Sequence, residues 1–181
     1  APTPGLSPAQ QRAVDQADAY VRESLGALPA DVRAIFEKVT VPYRWIVRGK
    51  NVNVQAMSPD KVVANTRRIA ERAAGAKASD LVPYPVNTAG VITDAGWRQL
   101  AADLVAYTGN QANGFGGDGS AVTVPAGYKG YIGTPTPGFV PTAIPKPRAD
   151  FLNLAMALPP PGSSKTPGGY AGRPVAEYPN V

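Results

Sequence analysis

Residues 93–109 of the chain read TDAGWRQLAADLVAYTG. The apolar side chains of this stretch recur at spacings of three and four, which places them on one face of an α-helix. They are Trp97, Leu100, Ala101, Leu104 and Val105. The helix opens at Thr93 or Asp94, and Gly109 ends it. Because Trp97 is the largest side chain on this face, we expect it to anchor the hydrophobic core.

Three further segments show the same helical spacing. A helix over residues 8–25 begins after Ser7, which can cap it, and has a proline in its first turn. A short helix restarts near residue 30, and another covers residues 58–75 between a Ser-Pro-Asp opening and a glycine. From the apolar faces of these helices we expect a shared core of Trp97, Leu100, Leu104, Ile69 and Val21.

Residues 42–57 have a different periodicity. Aromatic and aliphatic residues alternate here with polar ones about a turn at residues 49–51, which predicts a two-stranded β-hairpin. Two strands alone are marginal in water, so the hairpin must pack on the helices or pair with other strands. The predicted fold class is therefore mainly α with a small β-hairpin (α+β), with about four short amphipathic helices in a core over residues 1–108.

Residues 109–181 form a long Pro/Gly-rich arm that we expect to be mostly irregular and extended. Most of the 19 glycines and 20 prolines lie here, and proline breaks helices and removes donors from sheets. One short helix is predicted over residues 149–158. Aromatic side chains along the arm are candidate anchors on partner subunits: Tyr128, Tyr131, Phe139, Phe151, Tyr170 and Tyr178. The alternative is that the arm wraps around its own domain.

Composition excludes several classes of chemistry. The 181 residues include no cysteine and no histidine, which removes disulfides, thiolate catalysis, the usual zinc sites and nucleophiles activated by imidazole. Asp94 and Asp103 are expected at exposed helical positions without a partner. We therefore expect no catalytic residue, no metal and no cofactor, and a protein that is not an enzyme.

The sequence leaves the compartment open between a virion, an extracytoplasmic space and an organelle reached after removal of a targeting peptide. No apolar run reaches the roughly 18 residues that a membrane-spanning helix needs. Only 17% of the residues are charged against 44% hydrophobic. This low charge indicates that other protein subunits cover part of the surface.

Each of two short motifs can be interpreted either as a chemical site or as a purely structural feature. Ser58-Pro59-Asp60-Lys61 matches the Ser-x-x-Lys pattern of acyl enzymes, but a serine cap followed by proline explains it without chemistry. The glycine-rich residues 114–119 invite comparison with a phosphate-binding loop. They follow a helix and lead into a proline-broken region, so a flexible linker is the preferred interpretation.

A basic surface is the remaining candidate site. The net charge is +5, and the region of the hairpin and the following helix contributes six cations that could contact nucleic acid: Arg44, Arg48, Lys50, Arg67, Arg68 and Arg72. The preferred interpretation of the same residues is a hairpin whose aromatics face the core and whose arginines are solvated.

Three functions follow in order of preference. The first is a structural or assembly subunit of a larger homo- or hetero-oligomeric complex, such as a virion or an organellar or bacterial assembly, which grips its neighbours with the arm. The second is a nucleic-acid-binding or packaging protein that uses the basic surface. The third is an extracytoplasmic enzyme or ligand-binding domain that uses the glycine-rich loop.

The core assignment of Trp97 makes a first prediction. We expect Trp97→Ala to lower the free energy of unfolding by about 3 to 5 kcal/mol, because truncating a large buried aromatic leaves a cavity. Denaturant-induced unfolding measures this loss. A loss below about 1 kcal/mol would place the helix outside the core.

Overall fold

A computed structural model describes residues 4–39, 41–42, 56–57, 59–73, 78–121 and 136–157 of the chain. This part is mainly helical. Its six helices are α1 (Pro8–Gly26), α2 (Ala30–Lys38), α3 (Pro59–Ala73), α4 (Ala78–Leu81), α5 (Asp94–Ala112) and α6 (Lys146–Ala157). None of them has the combined length and apolar character needed to cross a membrane.

Helix α1 confirms the prediction for residues 8–25. Ser7 and Gln10 form a reciprocal capping box, in which the Ser7 hydroxyl accepts from the Gln10 N–H at 3.1 Å and the Gln10 side chain accepts from the Ser7 N–H at 2.7 Å. At the other end, the Arg33 guanidinium donates to the carbonyls of residues 25, 26 and 28. The last carbonyls of α1 are therefore satisfied by a side chain of the next helix.

Helices α3 and α5 form the centre of the molecule. Helix α3 packs against α1, α2, α4 and α6, and α5 packs against α2 and α6. The predicted core residues Trp97, Leu100, Leu104 and Val21 are all buried, and Ile69 is half-buried against the core. The short α2 contributes Val32 and Phe36, and the core also includes residues that the helical pattern did not indicate: Val82, Tyr84, Ile92 and Ile144.

Two helix boundaries differ from their predictions. Helix α5 continues past Gly109 to Ala112, since one glycine lowers helix stability by only about 1 kcal/mol. Helix α6 begins at Lys146 rather than residue 149. Its proline, Pro147, lies in the first turn, where a missing N–H leaves no hydrogen bond unmade.

A short antiparallel pairing joins Val41–Pro42 to Ala56–Met57, with Val41 opposite Met57 and Pro42 opposite Ala56. Residues 43–55, which carry most of the predicted β-hairpin and its turn, lie outside the described residues. The hairpin therefore stays a prediction.

The described part of the predicted arm belongs to the same core as the helices before it. The proposed boundary at residue 109 falls within α5, and α6 packs against α3 and α5. Phe151 and Leu152 of α6 are buried in the common cluster. Residues 122–135 and 158–181 of the arm lie outside the described residues, and the division at residue 109 stays a prediction for them.

Asn110 attaches the arm to α5. Its side-chain amide is completely buried and donates to the carbonyls of Gly117 (2.9 Å) and Thr142 (2.8 Å), while its oxygen accepts from the Thr142 N–H (2.9 Å). One side chain thus satisfies backbone groups of the loop after α5 and of a segment 32 residues downstream.

We expect Asn110→Ala to lower the free energy of unfolding by about 2 to 4 kcal/mol. The substitution removes three hydrogen bonds made by a completely buried side chain, and each such bond contributes about 0.5 to 1.5 kcal/mol. Denaturant unfolding measures the change. The matched control is Asn113→Ala, which removes two hydrogen bonds at a half-buried position and should cost less; equal losses would contradict the role of Asn110.

Candidate functional site

An apolar patch lies where the base of the arm crosses the end of α5. The Phe115 and Phe139 rings have centroids 6.0 Å apart, and Phe139 Cζ lies 4.0 Å from the position that a Cβ on Gly109 would occupy. Val105 lies one turn earlier on the same side of α5 and is 46% exposed, and Val140 is 79% exposed. We refer to Val105, Phe115, Phe139 and Val140 as the apolar patch.

The backbone that carries the patch is held by hydrogen bonds on both sides of Val140. The Thr136 N–H donates to the Asn113 side chain at 2.7 Å, and the Phe139 N–H donates to the Thr136 carbonyl at 3.1 Å. On the other side, Asn110 holds Thr142. Val140 therefore lies on an irregular segment that hydrogen bonds hold in place on both sides.

The predicted partner anchors separate into three groups. Phe139 is half-buried within the apolar patch. Phe151 is 4% exposed and packs edge-to-face on Tyr84, with centroids 5.9 Å apart, so it stabilises the chain's own core. The other four anchors lie outside the described residues: Tyr128, Tyr131, Tyr170 and Tyr178.

The predicted nucleic-acid contacts are described only on α3, since Arg44, Arg48 and Lys50 lie outside the described residues. Arg67 forms ion pairs with Glu23 (3.2 Å) and Glu71 (2.7 Å). Its guanidinium carbon also lies 4.7 Å from the centroid of the Tyr20 ring. The charge of Arg67 is thus balanced within the chain.

Arg68 and Arg72 follow on the same helix. Arg68 is half-buried and donates to the Asn65 side chain at 2.9 Å, whereas Arg72 is exposed. Burial, followed by the positive charge of Arg72, lowers the pKa of Arg68 from its ordinary value. The structure therefore brings these two cations together, with Tyr20 and Glu71, around a cleft between α1 and α3.

Asp103 was expected to be exposed and unpaired, and this expectation is wrong. Its carboxylate is buried and accepts from Arg148 Nε (2.7 Å), the Tyr84 hydroxyl (2.7 Å) and Gln99 Nε2 (3.1 Å). Burial, followed by the hydrogen bond to Asp103, raises the pKa of Tyr84 well above its usual range. The sequence did not reveal this network because Arg148 lies 45 residues away.

The glycine-rich residues 114–119 form a packed turn rather than a flexible linker. The Gly117 backbone lies directly against the Tyr107 ring, and a Cβ on Gly119, where φ is +90°, would lie 2.6 Å from the Thr142 carbonyl oxygen. The N–H groups of residues 114, 115, 116 and 119 all donate to backbone carbonyls within the chain. Because these donors are used internally, the turn does not offer them to a phosphate.

The described residues contain no group of three or more acidic side chains placed to hold a metal ion. Comparisons of the chain with protein-family models, curated proteins and solved structures gave no match. The apolar patch and the cleft between α1 and α3 are therefore the candidate sites of the described residues.

The Tyr20 environment predicts a shifted titration. Tyr20 donates to Glu71 Oε2 at 3.1 Å; burial, followed by the negative charge of Glu71, raises the pKa of Tyr20 from 10.0 to about 12. Because the folded pKa is the higher one, the stabilising contribution of this hydrogen bond is complete below pH 10 and is lost as pH rises through about 12.

Tyrosinate absorbance during alkaline titration measures this shift. The native chain should show a transition near pH 12 that Tyr20→Phe removes. In denaturant all tyrosines should titrate together near their ordinary value of about 10. A wild-type titration that Tyr20→Phe leaves unchanged above pH 11 would contradict the Tyr20–Glu71 contact.

Proposed function

We propose that the chain is a non-enzymatic structural subunit that joins a larger protein assembly through its Pro/Gly-rich arm. The single observation that carries the proposal is Val140: a large apolar side chain, 79% exposed, on backbone that hydrogen bonds fix on both sides. Isolated exposed apolar residues are common on monomers. Here, however, Val140 directly follows Phe139, whose ring contacts Phe115 and lies close to Gly109 of α5.

The fixed backbone favours association. A flexible segment loses conformational freedom when it binds, and this loss weakens the complex. The segment around Val140 has already been ordered by folding, through Asn110 and Asn113. Prolines on both sides, Pro137 and Pro141, restrict it further.

Buried polar side chains hold the base of the arm on the chain's own helices. Asn65 donates to the Ala155 carbonyl at 2.9 Å, Asp103 holds Arg148 and Asn110 holds Thr142. Each of these side chains attaches the described arm to the helical core. The partner is another protein subunit, which covers the apolar patch and is gripped farther along the arm by Tyr170 and Tyr178.

The test compares two substitutions of the same kind at exposed valines. Val140→Asp places a charge in the apolar patch, and Val91→Asp places it at a site that is 59% exposed in a turn outside the patch. Tagged chains are produced in the natural source, and their sedimentation in a clarified lysate is compared with that of the purified chain.

The wild-type chain and Val91→Asp should sediment as a large complex, and Val140→Asp should shift to the position of the purified chain. Tyr170→Ala combined with Tyr178→Ala should shift it in the same direction. Far-UV circular dichroism confirms that each variant is folded. Equal sedimentation of the two aspartate variants, or a wild-type chain that sediments alone, would refute the proposal.

A further inference from the structure

The pair Asn113-Gly114 lies at the end of α5, where the chain turns toward the arm. It is the only asparagine directly followed by glycine in the sequence. Asn113 is the C-terminal cap residue of α5, and Gly114 follows with a φ of +85°, in the left-handed region that favours glycine. The turn therefore requires a glycine directly after this asparagine.

Both ends of the Asn113 side-chain amide form hydrogen bonds. The nitrogen donates to the Gly109 carbonyl at 2.8 Å, and the oxygen accepts from the Thr136 N–H at 2.7 Å. Gly109 belongs to the last turn of α5, whose carbonyls need partners from outside the helix. The amide thus links the end of α5 to the arm segment that carries Val140.

An asparagine followed by glycine can react with its own main chain. The Gly114 nitrogen attacks Cγ of Asn113, a C–N bond forms, and the side-chain nitrogen leaves as ammonia together with the proton of the attacking N–H. Water then opens the resulting succinimide ring to an aspartate or an isoaspartate. Glycine favours the attack because it has no Cβ to hinder the approach to its nitrogen.

The folded turn opposes this reaction. Ring closure requires Cβ of Asn113 and the Gly114 nitrogen to lie on the same side, but the ψ of 15° nearly eclipses the two main-chain nitrogens and turns Cβ away. The Gly114 N–H also donates to the Gln111 carbonyl at 3.2 Å. The attacking nitrogen and its target are thus held apart until the turn opens locally.

The product of the reaction does not fit the native contacts. A carboxylate at position 113 keeps an acceptor for the Thr136 N–H but loses the donor to the Gly109 carbonyl. Its negative charge would also lie at the C-terminus of α5, where the helix dipole is negative. The modification therefore weakens the attachment of the arm at Thr136.

From this geometry we propose that Asn113 is a latent deamidation site, which the folded turn protects and which reacts when the turn opens. The reaction consumes water and releases ammonia, so its product does not revert spontaneously, and each conversion loosens the base of the arm permanently. The site follows from the contacts of Asn113 and Gly114 alone, whether or not a partner covers the apolar patch.

The test follows the deamidation of every asparagine in the full chain by peptide mass spectrometry, at mildly alkaline pH, in buffer and in urea. In urea, Asn113 should react faster than every other asparagine. In buffer, its reaction should be about tenfold slower or more, because it then requires a local opening. Equal rates at Asn113 in the two conditions, or no preference for Asn113 in urea, would overturn the proposal.

The effect on the arm is tested with Asn113→Asp, which reproduces the aspartate product. The matched control is Asn87→Asp, since the Asn87 oxygen accepts from the N–H groups of Ala89 and Val91 and a carboxylate retains this capacity. Amide hydrogen exchange at residues 136–142 should be about tenfold faster or more in Asn113→Asp and unchanged in Asn87→Asp. Equal exchange in the two variants would overturn the coupling to the arm, while the mass measurement on the unsubstituted chain does not depend on how either variant folds.

Discussion

Burial of α5 on two faces is the constraint on which the rest of the structure depends. One face is apolar and packs Trp97, Leu100 and Leu104 into the core. The other carries Asp103 and Asn110, which are also buried and therefore need hydrogen-bond partners. Those partners are supplied by Arg148 and Thr142 from the arm. A helix whose polar side is buried cannot be stable until the segment that satisfies it is in place.

The base of the arm is consequently part of the fold. Residues 136–157 place Ile144 and Leu152 in the common core and bind α5 through polar side chains. The same hydrogen bonds fix the position of Val140, so the proposed partner surface depends on the interactions that stabilise the domain. The cleft between α1 and α3 is held by a separate network around Arg67.

The hydrogen bonds that hold the segment around Val140 also bear on the proposed association with a partner. Asn110 satisfies backbone groups of Gly117 and Thr142, so the segment around Val140 is held in place without belonging to a helix or sheet. For the proposed assembly, this order reduces the conformational entropy that is lost on binding.

The sequence by itself determined the long helices, because apolar spacing and caps such as Ser7 act within a few residues of each other. It also identified Trp97 and Leu104 as core residues. Tertiary structure alone decided the partners of Asp103 and the role of the glycine-rich turn, since those contacts join residues far apart in the chain. Helical spacing indicates which side chains share a face of a helix. Only tertiary packing decides whether a polar face is exposed to solvent or buried against another segment of the protein.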